Sequence, residues 1–257
     1  MRILCLVKQV PDSLEVRMGS DLTLEREFVA QVLNPADESA VELALRLRDA
    51  HGGEVTALSM GPARAEGTLR ELIARGVDHA ALLCDPACAG SDTLATARAL
   101  SAAAKALGPF DLLLFGRRAA DGETGQVGAM TAALLDIPCV ANATDADLTE
   151  DVLTASQLTE AGTVRWQTKL PAALTLCEWS YPLRLPTLSG LRWAKNAPVA
   201  QLTHEDIALA REDCGLRGSP TRVTHVSARP SGVRHTVWLT AREAAGTAAE
   251  LLEEVKP

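Results

Sequence analysis

Aromatic residues are scarce: Phe, Trp and Tyr make up 3% of the 257 residues. A core built on rings is therefore excluded. The 47% of apolar residues, largely Ala and Leu, suits helices packed on a sheet. No apolar run approaches the roughly 20 residues of a membrane-spanning helix, so no direct membrane insertion is expected. There is no basic excess either. The net charge is −8, which makes nucleic acid a poor partner, although basic residues cluster between Arg211 and Arg234. The six cysteines lack metal-ligand spacing: Cys84 and Cys88 stand as C-x-x-x-C, Cys5, Cys139 and Cys177 sit in apolar runs, and Cys214 is alone. They read as structural thiols. The five histidines (His51, His79, His204, His225 and His235) show no ligand spacing, so no metal site is expected. Asp85, Asp92 and Asp121 are too scattered to make an acid/base pair, and no catalytic residue is assigned. No G-x-G-x-x-G follows a strand and no G-x-x-x-x-G-K-[ST] occurs, which argues against an ordinary dinucleotide dehydrogenase or a P-loop NTPase. Met1-Arg2 leads straight into a strand, leaving no room for a signal peptide. The expectation is a cytoplasmic protein with reduced thiols.

What the chain does have is one organising stretch, Asp111 to Ala132. Leu112 to Phe115 form an apolar run too short for a helix, ended by Gly116. Gly122-Glu123-Thr124-Gly125-Gln126-Val127-Gly128 then runs into helix-compatible Ala129 to Leu135. A strand, a small-residue turn and a helix start is a layout that binds phosphate. Backbone N–H groups can approach an anion, and the helix N-terminus adds roughly half a positive charge. A tight turn without a ligand has the same sequence appearance.

Around it, strands and helices alternate. Ile3 to Val7, Val55 to Ser59 and His79 to Cys84 read as buried strands, and Pro11 is read as barring further pairing after the first. Asn34 caps a helix with Pro35 in its first turn, Asp37 and Glu38 at its positive end, and Ala40, Leu43, Ala44 and Leu47 on one stripe. Ala65, Leu69, Leu72 and Ile73 mark a second helix, and Ser91 is read as capping a third that runs to Leu107. This predicts an α/β fold, a doubly wound, mostly parallel sheet of Rossmann-like type. Ligands on such sheets sit at the carboxyl ends of the strands, where strand order reverses. Asp21 to Val32 is read as a hairpin, Val152 to Leu158 with Thr163 to Lys169 as an antiparallel pair, and Ala172 to Glu178 as another buried strand. From Trp179 the chain is irregular. The division expected is a nucleotide-binding domain over 1–198 and a subunit-docking arm over 199–257, ending in a helix capped by Thr240.

In order and spacing, several pieces resemble the β subunits of electron-transfer flavoproteins. They are Val7-Lys8-Gln9-Val10-Pro11-Asp12, Asn34-Pro35-Ala36-Asp37-Glu38 with Ala40-Val41-Glu42, Ser59-Met60-Gly61-Pro62, the loop Gly116 to Gly128, and Lys169-Leu170-Pro171-Ala172. The resemblance implies a β chain paired with an α subunit that carries the redox FAD, fed by a dehydrogenase. It also implies a nucleotide in the β chain: AMP in ordinary members, a second FAD in electron-bifurcating ones that meet NADH. The implied nucleotide contacts are Leu6, Asn34, Pro35, Ala36, Asp37 and Met60, together with Asp121, Gly122, Glu123, Thr124, Gly125, Gln126, Val127, Gly128, Ala129, Met130, Thr131 and Ala132. Asn34 and Asp37 are expected to bond ribose or adenine, and Leu6 and Met60 to flank an adenine face.

The family's partner-recognition loop falls on Arg184 to Leu191, with Leu188 as the implied anchor and Arg184 beside it. Here Leu185 replaces the usual Tyr and Trp193 a common Lys, which points to a partner other than an acyl-CoA dehydrogenase. The run Asp121 to Gly128 looks more like D-G-D-T-A-Q-V-G of bifurcating members than D-D-x-N-Q-T-G of ordinary ones, yet Ala129 replaces their frequent Pro. A stand-alone adenine-nucleotide-binding signalling domain is the remaining alternative; the long extension after Pro198 argues against it.

Overall fold

The computed structural model describes residues 1–12, 30–225, 238–240, 243, 244 and 246–248. It divides into two compact units, Met1–Val223 and Thr224–Pro257. In chain order the larger unit contains β1 (Arg2–Val7), β2 (Gln9–Pro11), β3 (Gln31–Leu33), α1 (Pro35–His51), β4 (Glu54–Met60), α2 (Glu66–Ala74), β5 (His79–Leu83), α3 (Thr93–Leu107), β6 (Leu112–Gly116) and α4 (Val127–Leu134). After these come β7 (Cys139–Thr149), β8 (Val152–Thr159), β9 (Gly162–Lys169), β10 (Ala172–Leu176), α5 (Leu188–Ala194), β11 (Ala200–Leu202) and α6 (Gly215–Gly218).

Nine strands form one sheet in the order β11-β5-β4-β1-β6-β10-β7-β8-β9. The first seven run parallel and the β7-β8-β9 end is antiparallel. This is the doubly wound, mostly parallel α/β sheet expected. The central strands β1, β6 and β10 read as continuous apolar runs because both faces are covered there. Ile3, Cys5 and Val7 pack on the side of α1 and α2, with Leu43, Leu69 and Leu72. Leu4 and Leu6 face α3 and α4, with Leu100, Ala103 and Ala132. The chain builds outward from β1 to β4 and β5, then crosses back to β6 on the other side of β1. Strand order therefore reverses between β1 and β6.

Several expectations need correction. Asp92, not Ser91, caps α3, its Oδ1 accepting from the amides of Leu94 and Ala95 at 3.1 and 3.0 Å. Ser91 instead donates to the Cys88 carbonyl. Asp85 and Asp92 are thus capping groups. Pro11 does pair, opposite Gln31 in the β2–β3 ladder; it sits in an isolated two-stranded ribbon, where a missing N–H is tolerated. The Asp21 to Val32 hairpin lies outside the described residues up to residue 29, and only its last residues, in β3, are seen. The strand β7 has no sequence reading. A register shift between Ala143 and Asp145 breaks its alternation, and Ala and Asp dominate it. Residues 200–218 are built onto the sheet edge: β11 pairs with β5, and Ile207 and Cys214 are buried in the core. The break placed after Pro198 falls inside the larger unit. In the smaller unit Thr240 and Glu243 cap each other reciprocally, Thr240 N–H to Glu243 Oε2 at 2.9 Å and Glu243 N–H to Thr240 Oγ1 at 3.4 Å. Leu251, Leu252 and Val255 of the expected helix lie outside the described residues.

Candidate nucleotide site

The reversal of strand order puts the ends of β1 and β6 side by side, and a buried polar hub fills the space beyond them. At its centre is Asp37, in the first turn of α1. Its Oδ2 accepts the Lys8 amide at 2.7 Å, and its Oδ1 accepts the Asn34 side-chain amide at 2.9 Å and the Gly116 amide at 3.1 Å. Burial pushes the Asp37 carboxyl up to about 7, against the pull of those N–H donors and of Lys8. Asn34 does not cap α1 with its side chain. Its Nδ2 donates to the Arg118 carbonyl at 2.9 Å and its Oδ1 accepts from Ala120 N–H at 3.0 Å. Lys8 Nζ reaches Asp121 at 2.7 Å. Gly116 has no alternative: a Cβ there would collide with Asp37 Oδ1 and with the Ala36 backbone.

The loop leaving this hub is pinned at its base and open above. Glu178, just past β10, accepts from Arg117 Nε at 2.6 Å and Arg118 Nε at 3.1 Å. Burial alone would raise the Glu178 carboxyl, but its hydrogen bonds, those from both arginines among them, and the charge of Arg117 hold it below the ordinary range. Gly122, Glu123, Thr124, Gly125 and Gln126 are exposed. Glu123 and Gly125 adopt left-handed backbone, φ 49° and 63°. Among the described residues, the amides of Thr124, Gly125 and Gln126 have no protein acceptor. They run directly into α4, whose N-terminus has no side-chain cap and whose first-turn amides no helix can pair internally. Gln126 Oε1 is occupied by Thr93 Oγ1 at 3.1 Å. Gly128 lets α4 approach the sheet, where a Cβ would stand 2.6 Å from Thr175 Cγ2.

The implied contact residues thus separate into two groups. Gly122 to Gln126 and Ala129 face solvent, with Val127 and Met130 half-buried. Asn34 and Asp37 are turned inward and wholly engaged within the protein, which makes them positioning residues for the loop. Leu6, Ala36 and Ala132 are core residues, and Met60 is partly buried beside the core. Pro35 lies in the first turn of α1. Thr131 is buried and donates to the Val127 carbonyl. Sequence reasoning passed over Lys8 as a side chain and read Glu178 only as the end of a strand, which stops at Leu176. Lys8 lay within a matching piece, whereas nothing in the sequence pairs residue 178 with 117. Arg117 and Arg118 are both clamped by Glu178. Among the described residues no group of His, Cys, Asp or Glu is arranged to hold a metal ion, and no helix is long and apolar enough to cross a membrane.

Compared with known proteins, residues 21–206 match the electron transfer flavoprotein domain. The chain belongs to the electron transfer flavoprotein family. It is similar to the electron transfer flavoprotein subunit beta of Thermoanaerobacterium thermosaccharolyticum, 43% identical over 229 residues and 88% of each chain. Similarity to the caffeyl-CoA reductase-Etf complex subunit CarD of Acetobacterium woodii is 38% over 258 residues, covering 99% of this chain and 98% of that one. The FixA protein of Azorhizobium caulinodans is 40% identical over 239 residues, 89% of this chain and 84% of its own.

The segment Arg184 to Leu191, expected to be a partner-recognition loop, is braced from behind. Arg184 does not project. It is clamped by Glu42 at 3.0 Å and Asp49 at 2.8 Å, while its carbonyl accepts from Arg75 at 2.6 Å. Arg70 donates to the carbonyls of Ala194, the last residue of α5, and of Ala197 just beyond it. Gly190 lies so close to the Ala74 carbonyl that any side chain would collide with it. On the outer side Leu185, Leu188 and Trp193 are 83%, 79% and 62% exposed, so Leu188 is not buried in a local turn. The helix α5, absent from the sequence reading, is seven residues long and carries too few turns for a periodic stripe.

Proposed function

We propose that this chain is the β subunit of a heterodimeric electron-transfer flavoprotein. In this reading it borders the FAD of an α subunit, accepts electrons from a dehydrogenase through it, and binds a nucleotide of its own at the loop Asp121 to Ala132. The observation that carries the second part is the row of unpaired amides at Thr124, Gly125 and Gln126 leading into the uncapped α4. Such a row suits a phosphate or pyrophosphate. The hub residues hold the row in place: Asp37 and Asn34 fix where the loop starts, Lys8 with Asp121 fixes its turn, and Glu178 turns both arginines away. Gly122, with no atom within 4 Å of an added Cβ, leaves room above the loop. A flavin so held supplies reversible electron acceptance, and the protein sets its distance, burial and field. All six cysteines are free, which suits the cytoplasm.

Between AMP and a second FAD we favour FAD, on the slim Asp121-Gly122-Glu123-Thr124 turn and the open space above it. That reading makes the heterodimer a bifurcating one, with NADH as reductant. Acid release of cofactors from the purified αβ heterodimer tests it. Two FAD and no AMP per dimer is the expected result. One FAD plus one AMP overturns the bifurcating reading and leaves a simple carrier; a dimer that releases no nucleotide beyond the α-subunit FAD overturns the β-chain site itself.

A further inference from the structure

Trp179 is the residue in the larger unit whose placement is hardest to explain by folding alone. It is 82% exposed and adopts φ 59°, a left-handed backbone that is unfavourable for a bulky side chain and persists only where neighbours enforce it. The neighbours do so from both sides. Glu178 is held by Arg117 and Arg118. Two residues on, the Tyr181 amide donates to Ser39 Oγ at 3.3 Å, and its hydroxyl donates to Asp145 Oδ1 and accepts from the Ala146 amide, both at 2.9 Å. The indole between these anchors is pushed off the protein rather than into it.

Its location narrows the purpose. Strand β10 pairs in parallel with β6, Leu176 opposite Gly116, and Arg117 N–H donates to the Leu176 carbonyl at 2.8 Å. Residues 177–179 therefore continue alongside the base of the loop, one strand spacing away. The carboxylate that clamps the loop's two arginines belongs to the residue directly before Trp179. Arg117 in turn lies against the loop, its carbonyl 3.4 Å from where a Cβ on Gly125 would stand, so an exposed indole is carried next to the base of the loop whose amides are unpaired.

We propose that Trp179 stacks on the ring system of the nucleotide bound at the Asp121 to Ala132 loop. This rests on the functional reading above and adds to it a residue that sets ring orientation. Stacking of a base on an aromatic side chain strengthens binding by roughly ten- to a hundredfold. The test uses the αβ heterodimer carrying Trp179→Gly, which removes both the ring and the backbone strain, and Trp179→Phe, which keeps a ring. Titration of FAD, and separately AMP, is followed by calorimetry beside a thermal melt of each protein. Expected is a loss of affinity of roughly tenfold or more for Trp179→Gly, with its melting temperature unchanged or raised and Trp179→Phe close to the parent. Unchanged affinity in Trp179→Gly overturns the proposal while the site survives. Heterodimer dissociation with unchanged affinity overturns it as well, assigning the indole to the α-subunit contact. If the parent heterodimer itself binds neither nucleotide, the functional reading fails before Trp179 is reached.

Discussion

Gly116→Ala is expected to destabilise the fold and empty the proposed nucleotide site together. The added Cβ has nowhere to go: it meets Asp37 Oδ1 and stands 2.8 Å from the Ala36 backbone carbon and side chain. Asp37 cannot step aside without breaking its bonds to the Lys8, Asn34 and Gly116 donors. Relief must come from moving the first turn of α1 or the end of β6, and both position the loop. Overpacking of this kind costs about 1–3 kcal/mol. In a protein of this size that lowers the melting temperature by roughly 2–4 °C per kcal/mol. Gly122→Ala is the matched control, since its Cβ meets nothing within 4 Å and its backbone is not left-handed. Thermal melts and cofactor release from αβ heterodimers carrying each substitution make the comparison. A Gly116→Ala heterodimer with parental melting and full nucleotide content would show that the hub does not govern the loop.

Leu188→Ala is expected to cut electron transfer from the partner dehydrogenase while leaving the fold untouched. The side chain is 79% exposed at the start of α5, so its truncation opens no cavity. The helix beneath it is fixed by Arg70, by the Arg75 bond to residue 184 and by the close approach of Gly190 to Ala74. A leucine presented on so rigid a base loses little entropy on docking. Truncating a central interface anchor costs roughly 2 kcal/mol or more, about thirtyfold in the second-order rate constant for reduction by the dehydrogenase. Stopped-flow reduction of the heterodimer measures it. An unchanged rate with an unchanged melt would remove Leu188 from the docking surface; a lowered melt would make it a structural residue.

How much of this was legible in the sequence follows from what each feature depends on. Ile3 to Val7, Leu112 to Phe115 and Ala172 to Leu176 announce themselves because a parallel strand covered on both faces is apolar at every position. The loop from Gly116 to Gly128 is legible because small residues between a strand and a helix have few other uses. The roles of its companions are not. Asn34 and Asp37 look like ligand-binding polar groups from sequence, yet both are spent inside, because β1 and β6 become neighbours only through the crossover. Glu178 is invisible for the same reason: its partners lie 60 and 61 residues away and meet it only through the β6–β10 pairing. The short elements β11 and α5 and the bulged β7 escape because three or seven residues, or an interrupted alternation, give no period to read.

Hydrogen exchange on the αβ heterodimer, with and without its β-site nucleotide, tests the central claim most directly. The account predicts that nucleotide slows exchange at the amides of 124–126, where the chain itself offers no acceptor, and leaves the sheet unchanged. The contradicting result is an unprotected loop with protection elsewhere, for instance along the open groove of about 630 Å³ between α3 and residues 206–213, lined by Arg98, Lys105 and Asp213.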